Sequence, residues 1–290
     1  MSELHATLID VGWGDSIFLE SIDANGKSHY ALVDSNDLAV PEKGRDISQA
    51  SMLYVKKFFQ RNKINVPANR PNFHFTMLSH FHTDHGQGLK QMMKYFGTKH
   101  FWYPKCHDPG NLAYLFEYSN RSSRVKHHQS IDHSKKFLKF GDADMKLLWP
   151  RHDDPPSKDE NDNSLVLAIT LDDITFLLTG DAEKPVWNAI KDEIPSTTRF
   201  FKVPHHGSVN GSMMSKTSKK GAWIAKCPSK AVLGISAHYS PFKHPHDNVI
   251  DLFTQKNRRY FRTDHHYHLT FSTNGTDLEV KYSHQEGIPV

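Results

Sequence analysis

Three apolar segments of the chain end directly on histidine or aspartate side chains, and this arrangement constrains the fold most. The segments read NFHFTMLSH, ITFLLTGD and RFFKVPHH, at residues 72–80, 174–181 and 199–206. Short apolar runs bounded in this way are typical of buried β-strands. Because strand ends are rigid and open into a common crevice, we expect the polar side chains at these ends to converge.

The remaining apolar patterns predict how these strands are packed. Residues 3–35 contain three strand-like segments punctuated by glycine, and residues 46–62 have the spacing of a helix capped by Asp46 or Ser48. A second short helix is expected to end at Gly97. Strand and helix patterns alternate again in the second half of the chain. This order predicts two sheets packed together with helices outside.

Length and composition limit the class of protein. A chain of 290 residues is long enough for a proper core, and we predict a single domain over residues 1–290. Its 21 histidines are unusual and indicate metal or proton chemistry, while a net charge of +4 permits an anionic substrate. Cys106 and Cys227 are far apart, so neither a thiolate zinc site nor a disulfide framework is indicated.

The sequence also carries an expectation about location. The N-terminal residues lack the basic and apolar regions of a signal peptide. A run of about 18 apolar residues, as needed to cross a membrane, does not occur. We therefore expect a cytoplasmic protein without a membrane partner, and the sequence gives no indication of its oligomeric state.

The motif LSHFHTDHGQG, at residues 78–88, concentrates four ligand-type side chains in one short connection. In an extended segment, positions i and i+2 project to the same side, so His80 and His82 can bind one metal ion. A tight turn would then present Asp84 and His85 to a second ion. Nitrogen and oxygen donors of this kind suit Zn²⁺, and also Mn²⁺ or Fe²⁺.

Asp181 is predicted to be shared between the two ions. It follows a buried strand, where an ionised carboxylate needs a strong partner, and its two oxygens can bridge. A histidine from the second half of the chain would complete the shell of one ion. Two ions about 3.5–4 Å apart would lower the pKa of a bound water, hold the resulting hydroxide and favour an in-line displacement at phosphorus.

Together these motifs resemble the metallo-β-lactamase superfamily. LSHFHTDHGQG matches its metal motif, LLTGD matches the strand that delivers the bridging aspartate, and KVPHHG is similar to the loop that delivers the last histidine. Aligning the superfamily's P-G-H-G with P-H-H-G puts the ligand at His206 and leaves His205 beside it. The resemblance implies an α/β fold, a four-layer αββα sandwich of two mixed β-sheets with helices outside. It also implies hydrolysis with two divalent metal ions, Zn²⁺ first and Mn²⁺ as the alternative.

A longer series of motifs is similar to the soluble hydrolase-like domain of the bacterial DNA-uptake competence protein family. TLIDVGWGDSIFLES, ALVDS, NDNSLVLAI, LLTGD, KVPHHGS, KHP and RTD occur in order from about residue 5 to residue 272. Trp13 departs from the family, which usually has Gln there. The histidine usual between the first motif and the bridging aspartate has no clear counterpart. Either His152, the nearest candidate, or solvent would then complete the first ion's shell.

We predict a dinuclear phosphodiesterase or nuclease that acts on nucleic acid through a metal-bound hydroxide. The resemblance implies that Asp84 holds the second ion and orients the hydroxide. His205 or His244 would contact a phosphate oxygen or protonate the leaving group. Basic stretches at 120–139 and 216–220 fit an anionic polymer, although surface lysines often serve only solvation.

Other interpretations of the sequence remain open. The basic region 105–140 reads as a solvated surface helix or loop, with a basic lip over a phosphate-bearing substrate as the alternative. The enzyme could instead cleave a small diester, such as a nucleotide or a phosphocholine-type head group, or a thioester or lactone. A non-enzymatic metal-binding module normally has eroded ligands, whereas all six predicted ligands are present here. Metal content separates that module from the enzymes, and substrate length separates nuclease from small-molecule esterase.

Overall fold

Two β-sheets form the centre of the computed structural model, which describes residues 1–37, 49–136 and 138–283. Their strands, in chain order, are β1 Glu3–Leu8, β2 Ile17–Ile22, β3 Ser28–Val33, β4 Phe73–Met77, β5 Thr98–Tyr103, β6 Val125–Ser130, β7 Leu138–Phe140, β8 Ala143–Trp149, β9 Val166–Leu171, β10 Ile174–Leu178, β11 Thr198–Lys202, β12 Val232–Ile235, β13 Tyr260–Arg262, β14 Leu269–Thr273 and β15 Leu278–Tyr282.

Both sheets are mixed, as the resemblance to the superfamily implies. The first has the order β15-β14-β1-β2-β3-β4-β5-β6 and changes from antiparallel to parallel pairing at β3. The second has the order β13-β12-β11-β10-β9-β8-β7 and changes at β10. In each sheet, therefore, the carboxyl ends of the parallel strands lie on the same side, and the loops that follow these strand ends can form a site.

The helices lie on the two outer faces or form single turns in the connecting loops. They are α1 Ala50–Arg61, α2 Thr83–Gly86, α3 Leu89–Phe96, α4 Tyr114–Arg121, α5 Lys184–Ile190, α6 Val209–Ser212, α7 Asp247–Gln255 and α8 Thr263–His266. The apolar sides of α1, α3 and α4 pack on the first sheet, and those of α5 and α7 pack on the second. This arrangement confirms the four-layer αββα sandwich. Within the described ranges, no helix is long and apolar enough to cross a membrane.

The core between the sheets consists mainly of aliphatic side chains and contains several stacked aromatic rings. Phe75 of β4 stacks on Trp102 of β5 at a centroid distance of 4.7 Å. Phe200 of β11 stacks on Phe271 of β14 at 3.9 Å, which joins the two sheets directly. Burying each such ring contributes roughly 1.5–3 kcal/mol. The packing fixes the ends of β4, β10 and β11 relative to one another, and these are the strand ends that carry the predicted ligands.

Local signals at the helix ends behave largely as the sequence indicates. The helix expected over residues 46–62 is α1, and its predicted caps, Asp46 and Ser48, lie outside the described residues. α3 ends before Gly97, whose φ of 70° is in the left-handed region that glycine accepts without a Cβ penalty.

Candidate metal centre

Asp84, His85, Asp181 and His206 bring one ligand atom each into one group, which we call the four-ligand cluster. These atoms all lie within 4.8 Å of one another. Oδ2 of Asp181 lies 3.3 Å from Nε2 of His85 and 3.3 Å from Nε2 of His206. Oδ2 of Asp84 lies 3.7 Å and 3.6 Å from the same two nitrogens. Four donors converging in this way could hold one divalent ion.

The cluster draws its ligands from both sheets. Asp84 and His85 lie in α2, the single helical turn that follows β4, and the other two ligands follow β10 and β11. His205 and His206 both have left-handed backbones, with φ values of 48° and 52°. Two consecutive non-glycine residues in this region cost of order 1–3 kcal/mol each, so the surrounding packing must impose the turn.

Buried acceptors orient both cluster histidines. Nδ1 of His85 lies 2.8 Å from Oδ2 of Asp34, and Oδ1 of Asp34 accepts a 2.7 Å hydrogen bond from the Ser79 backbone. Nδ1 of His206 lies 3.1 Å from the Ser236 carbonyl oxygen. Metal-binding histidines typically donate their other ring N–H in this way, which leaves Nε2 for the ion.

The donor atoms themselves fit a metal ion. Among the described residues, Nε2 of His85, Nε2 of His206 and Oδ1 of Asp181 are buried without a hydrogen-bond partner. Unsatisfied polar atoms are rare in protein interiors, and each calls for a physical explanation. A divalent cation between these residues would satisfy the two histidine nitrogens, so this donor set is suited to a metal ion.

The charges of the cluster are strongly coupled. Burial alone would raise the pKa of Asp181, but His206 and His85 outweigh it and hold that pKa well below its usual value. Burial would lower the pKa of His206, but Asp181 and Asp15 raise it to about 9. The pKa of His85 is likewise raised, against burial, by Asp181, Asp34 and Asp84. In the metal-free protein, the protons on His85 and His206 therefore compensate the negative charge of the neighbouring carboxylates, as a bound cation would.

His80 and His82 form a second group, the two-histidine pair. Nε2 of His80 lies 3.1 Å from Nδ1 of His82, and Nδ1 of His80 lies 3.0 Å from the Ser79 hydroxyl. The His80 ring is 4.2 Å from that of His85, so the pair adjoins the four-ligand cluster. Burial lowers the pKa of His80 well below its usual value, which keeps the imidazole neutral and able to ligate.

Sequence reasoning missed a buried lysine beside the cluster. Nζ of Lys202 donates a 3.0 Å hydrogen bond to the Gly180 carbonyl, lies 3.6 Å from Oδ1 of Asp181 and contacts the Asp15 carboxylate. Burial would lower the pKa of Lys202, but Asp15 and Asp181 raise it, so the ammonium stays charged. Its signal in the sequence is a lysine inside the apolar segment RFFKVP.

Asp15 was not predicted either, although it lies in the motif TLIDVGWGDSIFLES. Its carboxylate oxygens lie 3.7 Å from Nδ1 of His85 and 3.7 Å from Nδ1 of His206. The preceding Gly14 has a φ of 95°, and a Cβ there would lie 2.3 Å from the Asp84 carbonyl oxygen. Glycine is therefore required for the loop to approach Asp84 this closely.

His205 and His244 lie next to the cluster. Nδ1 of His205 lies 2.8 Å from Oε1 of Glu183, and its Nε2 lies 4.0 Å from Oδ2 of Asp181. The His244 ring is 5.5 Å from the ring of His205. Burial, followed by the neighbouring His206 and His205, lowers the pKa of His244 to about 3. The catalytic roles of both histidines stay predictions.

His152 is not brought to the cluster or to the pair. Its side chain is 55% exposed, and its Nδ1 lies 2.9 Å from Oδ2 of Asp132. The Ser134 hydroxyl lies 3.1 Å from the same nitrogen. A histidine engaged in this way at the surface does not supply the missing ligand of the two-histidine pair.

A comparison with protein families identifies the fold. The model described as the metallo-beta-lactamase superfamily matches residues 72–222, just over half of the chain. The chain belongs to the metallo-β-lactamase superfamily. The matched segment contains the whole motif at 78–88 as well as Asp181 and His206, so both ligand groups lie within the superfamily domain.

Individual relatives agree with this assignment. The chain is 25% identical to ComE operon protein 3 of Bacillus subtilis (strain 168) over 296 aligned residues. The match covers 99% of this chain and 34% of that protein, so the chain spans about a third of the length of its relative. It confirms the resemblance to the competence protein family that the motifs indicate.

A solved structure shows the same fold at low sequence identity. The structure of unliganded yeast PDE1 has a TM-score of 0.51 and 12% identity, covering 93% of this chain and 99% of that one. A putative metal-dependent hydrolase from Parabacteroides distasonis ATCC 8503 has a TM-score of 0.48 and 12% identity, covering 90% and 93%.

Proposed function

We propose that this protein is a metal-dependent phosphodiesterase that cleaves nucleic acid, with two divalent metal ions as cofactors. The four-ligand cluster would hold one ion. The two-histidine pair, with Asp181 shared between the groups, would hold the other, and Zn²⁺ suits this nitrogen and oxygen donor set. When bound, such ions activate water and stabilise negative charge that develops on phosphoryl oxygens.

The residues of the chain prepare the site for this chemistry. Asp34 and the Ser236 carbonyl fix the ring orientations of His85 and His206, so little reorganisation accompanies binding. Lys202 holds a positive charge against Asp181 and Asp15. The ammonium therefore compensates part of the negative charge of these two carboxylates and helps to hold them in position.

The observation that carries the proposal is an extended row of rings with a cavity at each end. Neighbouring ring centroids along the row His82, His80, His85, His206 and His244 are 4.7, 4.2, 5.4 and 6.3 Å apart. A cavity of about 390 Å³ adjoins His82, and another of about 590 Å³ adjoins His244. Space at both ends of the row favours a polymer that continues on either side of the scissile bond.

The chemistry of the larger cavity favours a phosphate-bearing substrate. Its lining includes three histidines, Lys216 and two asparagines, with Asp247 as its acidic member. Donors of this kind bind phosphate oxygens.

The direct test is hydrolysis by the metal-reconstituted protein. Substrates would be single- and double-stranded DNA and RNA, compared with bis-p-nitrophenyl phosphate. Asp84→Ala removes a cluster ligand, and Asp251→Ala, an exposed aspartate of α7, is the matched control. We expect cleavage of nucleic acid that Asp84→Ala abolishes and Asp251→Ala retains, at equal metal supply.

Other outcomes separate the alternatives. Turnover of the small diester alone would favour a small-molecule phosphodiesterase. Full metal occupancy without turnover of any diester would overturn the proposal and direct the search to thioesters and lactones.

A further inference from the structure

Trp13 and Phe242 join two loops that border the candidate metal centre. Trp13 lies between β1 and β2, two residues before Asp15, and Phe242 lies between β12 and α7, two residues before His244. Their ring centroids are 5.7 Å apart with an interplanar angle of 66°, an edge-to-face contact. The contact therefore connects the N-terminal loop beside Asp84 with the C-terminal loop beside His206.

Phe242 also continues the row of rings that starts in the metal centre. The His206 and His244 rings are 6.3 Å apart and inclined by 21°, and the His244 and Phe242 rings are 6.0 Å apart and inclined by 29°. The rings are close to parallel at both steps. Phe242 is thus two ring contacts away from a cluster ligand, on the side of the larger cavity.

The outer end of the row is exposed. Phe242 is 57% exposed and Tyr239 is 66% exposed, whereas the aromatic side chains between the two sheets, such as Phe75 and Trp102, are buried. Both belong to one compact loop, in which the Lys243 backbone donates a 2.6 Å hydrogen bond to the Tyr239 carbonyl. Exposed aromatic rings held in a fixed loop beside a reactive centre indicate a binding surface.

The composition of this loop indicates its occupant. Single-stranded nucleic acids are bound by aromatic rings on which bases stack, together with cations that contact the backbone. Phe242 is followed by the exposed Lys243, and Lys216 lies in the adjoining cavity. A surface that inserts into a lipid bilayer would instead require a larger set of exposed apolar side chains.

We propose that Trp13, Tyr239 and Phe242 form a base-stacking surface for a single-stranded nucleic acid whose scissile phosphate lies at the metal centre. The inference rests on the proposed function and adds the form of the substrate. The bases of a duplex are already stacked on one another, so this surface distinguishes unpaired strands. Stacking tolerates every base, so we expect little dependence on sequence.

The test compares the affinity of two single-stranded DNA probes by fluorescence anisotropy. One carries bases throughout, and the other has an abasic site in each nucleotide next to the central linkage. Phosphorothioate linkages slow hydrolysis, and the full metal-loaded chain is used. The variants are Phe242→Leu, which keeps an apolar side chain without a ring, and Phe242→Tyr, which keeps the ring. Tyr95→Leu is the control, because Tyr95 is an exposed aromatic residue of α3.

We expect Phe242→Leu to weaken binding of the base-bearing strand by roughly fivefold to a hundredfold, as removal of one stacking ring does. Binding of the abasic strand should not change, and Phe242→Tyr should restore the affinity. Equal affinity of the native chain for the two probes would overturn the inference, as would an equal loss on both probes in Phe242→Leu. Absence of binding to either probe would also overturn it.

The two proposals fail in different measurements. The proposed function fails when the metal-loaded native chain hydrolyses no phosphodiester. The stacking surface fails when removing bases from the probe leaves its affinity unchanged. Metal content of Phe242→Leu, measured alongside, identifies any variant whose metal centre has been disturbed.

Discussion

The four-ligand cluster and the two-histidine pair share one sequence motif but differ in how they are built. The cluster combines Asp84 and His85 of the motif with ligands that follow β10 and β11 of the other sheet. The pair takes both of its histidines from the motif itself, and His82 is half-buried. The cluster is therefore a product of tertiary packing, whereas the pair is formed within one loop.

Charge separates the two groups further. The cluster gathers buried carboxylates whose negative charge is balanced by protonated histidines and by Lys202. The pair consists of imidazoles, and the buried His80 is held neutral. Buried charges are tolerated only when they are paired, so the cluster should depend strongly on its neighbours and the pair only weakly. Four predictions test this difference.

The largest effect is expected from Lys202→Met, measured by urea unfolding of the metal-free protein. Removing this ammonium leaves the carboxylates of Asp15 and Asp181 buried without their cation. We expect the free energy of unfolding to fall by about 3–5 kcal/mol. The double variant Lys202→Met/Asp15→Asn should recover part of the loss, because one uncompensated charge is gone.

Lys146→Met provides the control for this experiment. Lys146 is an exposed lysine of β8, and its replacement should change the free energy of unfolding by less than about 0.5 kcal/mol. Equal stability of Lys202→Met and the native chain would show that the cluster does not depend on this ammonium.

Asp181→Asn should lower both metal content and diester turnover. The amide keeps the size of the side chain but removes the negative charge that, in our proposal, the two ligand groups share. Mutating a residue that only hydrogen-bonds to a metal ligand typically lowers activity by about 10- to 100-fold. Because Asp181 is a predicted ligand itself, we expect turnover to fall at least about 100-fold. Elemental analysis would count the bound ions, and retention of two ions per chain would contradict the shared role.

His82→Ala should remove one ion and leave the other. The pair loses half of its donors, while the four-ligand cluster keeps all of its ligands. Since His82 is half-buried, we expect the free energy of unfolding in EDTA to change by less than about 1 kcal/mol. Loss of both ions on elemental analysis would show that the two groups do not bind independently.

The smallest effect concerns pH. The pKa of His206 is raised from 6.5 to about 9 in the metal-free protein. Its protonation therefore contributes stability that is complete below pH 6.5 and is lost as the pH rises through about 9. A metal ion must displace this proton, so we expect the cluster's metal affinity to rise with pH over the same window.

Calorimetric metal titration in two buffers of different ionisation enthalpy measures the released protons. His82→Ala isolates the cluster and should still release protons near neutral pH. Identical heats in the two buffers would contradict the protonation of His85 and His206.

The prediction of secondary structure from sequence was accurate where a strand is buried on both faces and weaker at the edges of the sheets. β4, β10 and β11 have continuous apolar runs and were predicted. β6 reads VKHHQS and lies at the edge of the first sheet, within a region interpreted as a surface helix or loop. An edge strand has few apolar contacts, so its sequence lacks the alternation that identifies a strand.

For the site, the sequence determined the arrangement of the ligands that lie close together in the motif at residues 78–88. The i, i+2 spacing of His80 and His82 and the turn before Asp84 follow from local backbone geometry, which depends on neighbouring residues alone. The superfamily and its two-layered sheet core could also be predicted, because strand patterns and motifs occur in order along the chain.

Only the tertiary structure decided which distant groups meet. Three charged groups from separate parts of the chain meet beside the ligands. The carboxylates of Asp15 and Asp34 both lie near His85, and the ammonium of Lys202 contacts Asp15. No spacing in the sequence encodes these distances, because they depend on how the two sheets pack and on which charges that packing buries. The sequence by itself determined the ligand types, and the packing of the sheets determined the buried, charge-balanced arrangement of those ligands.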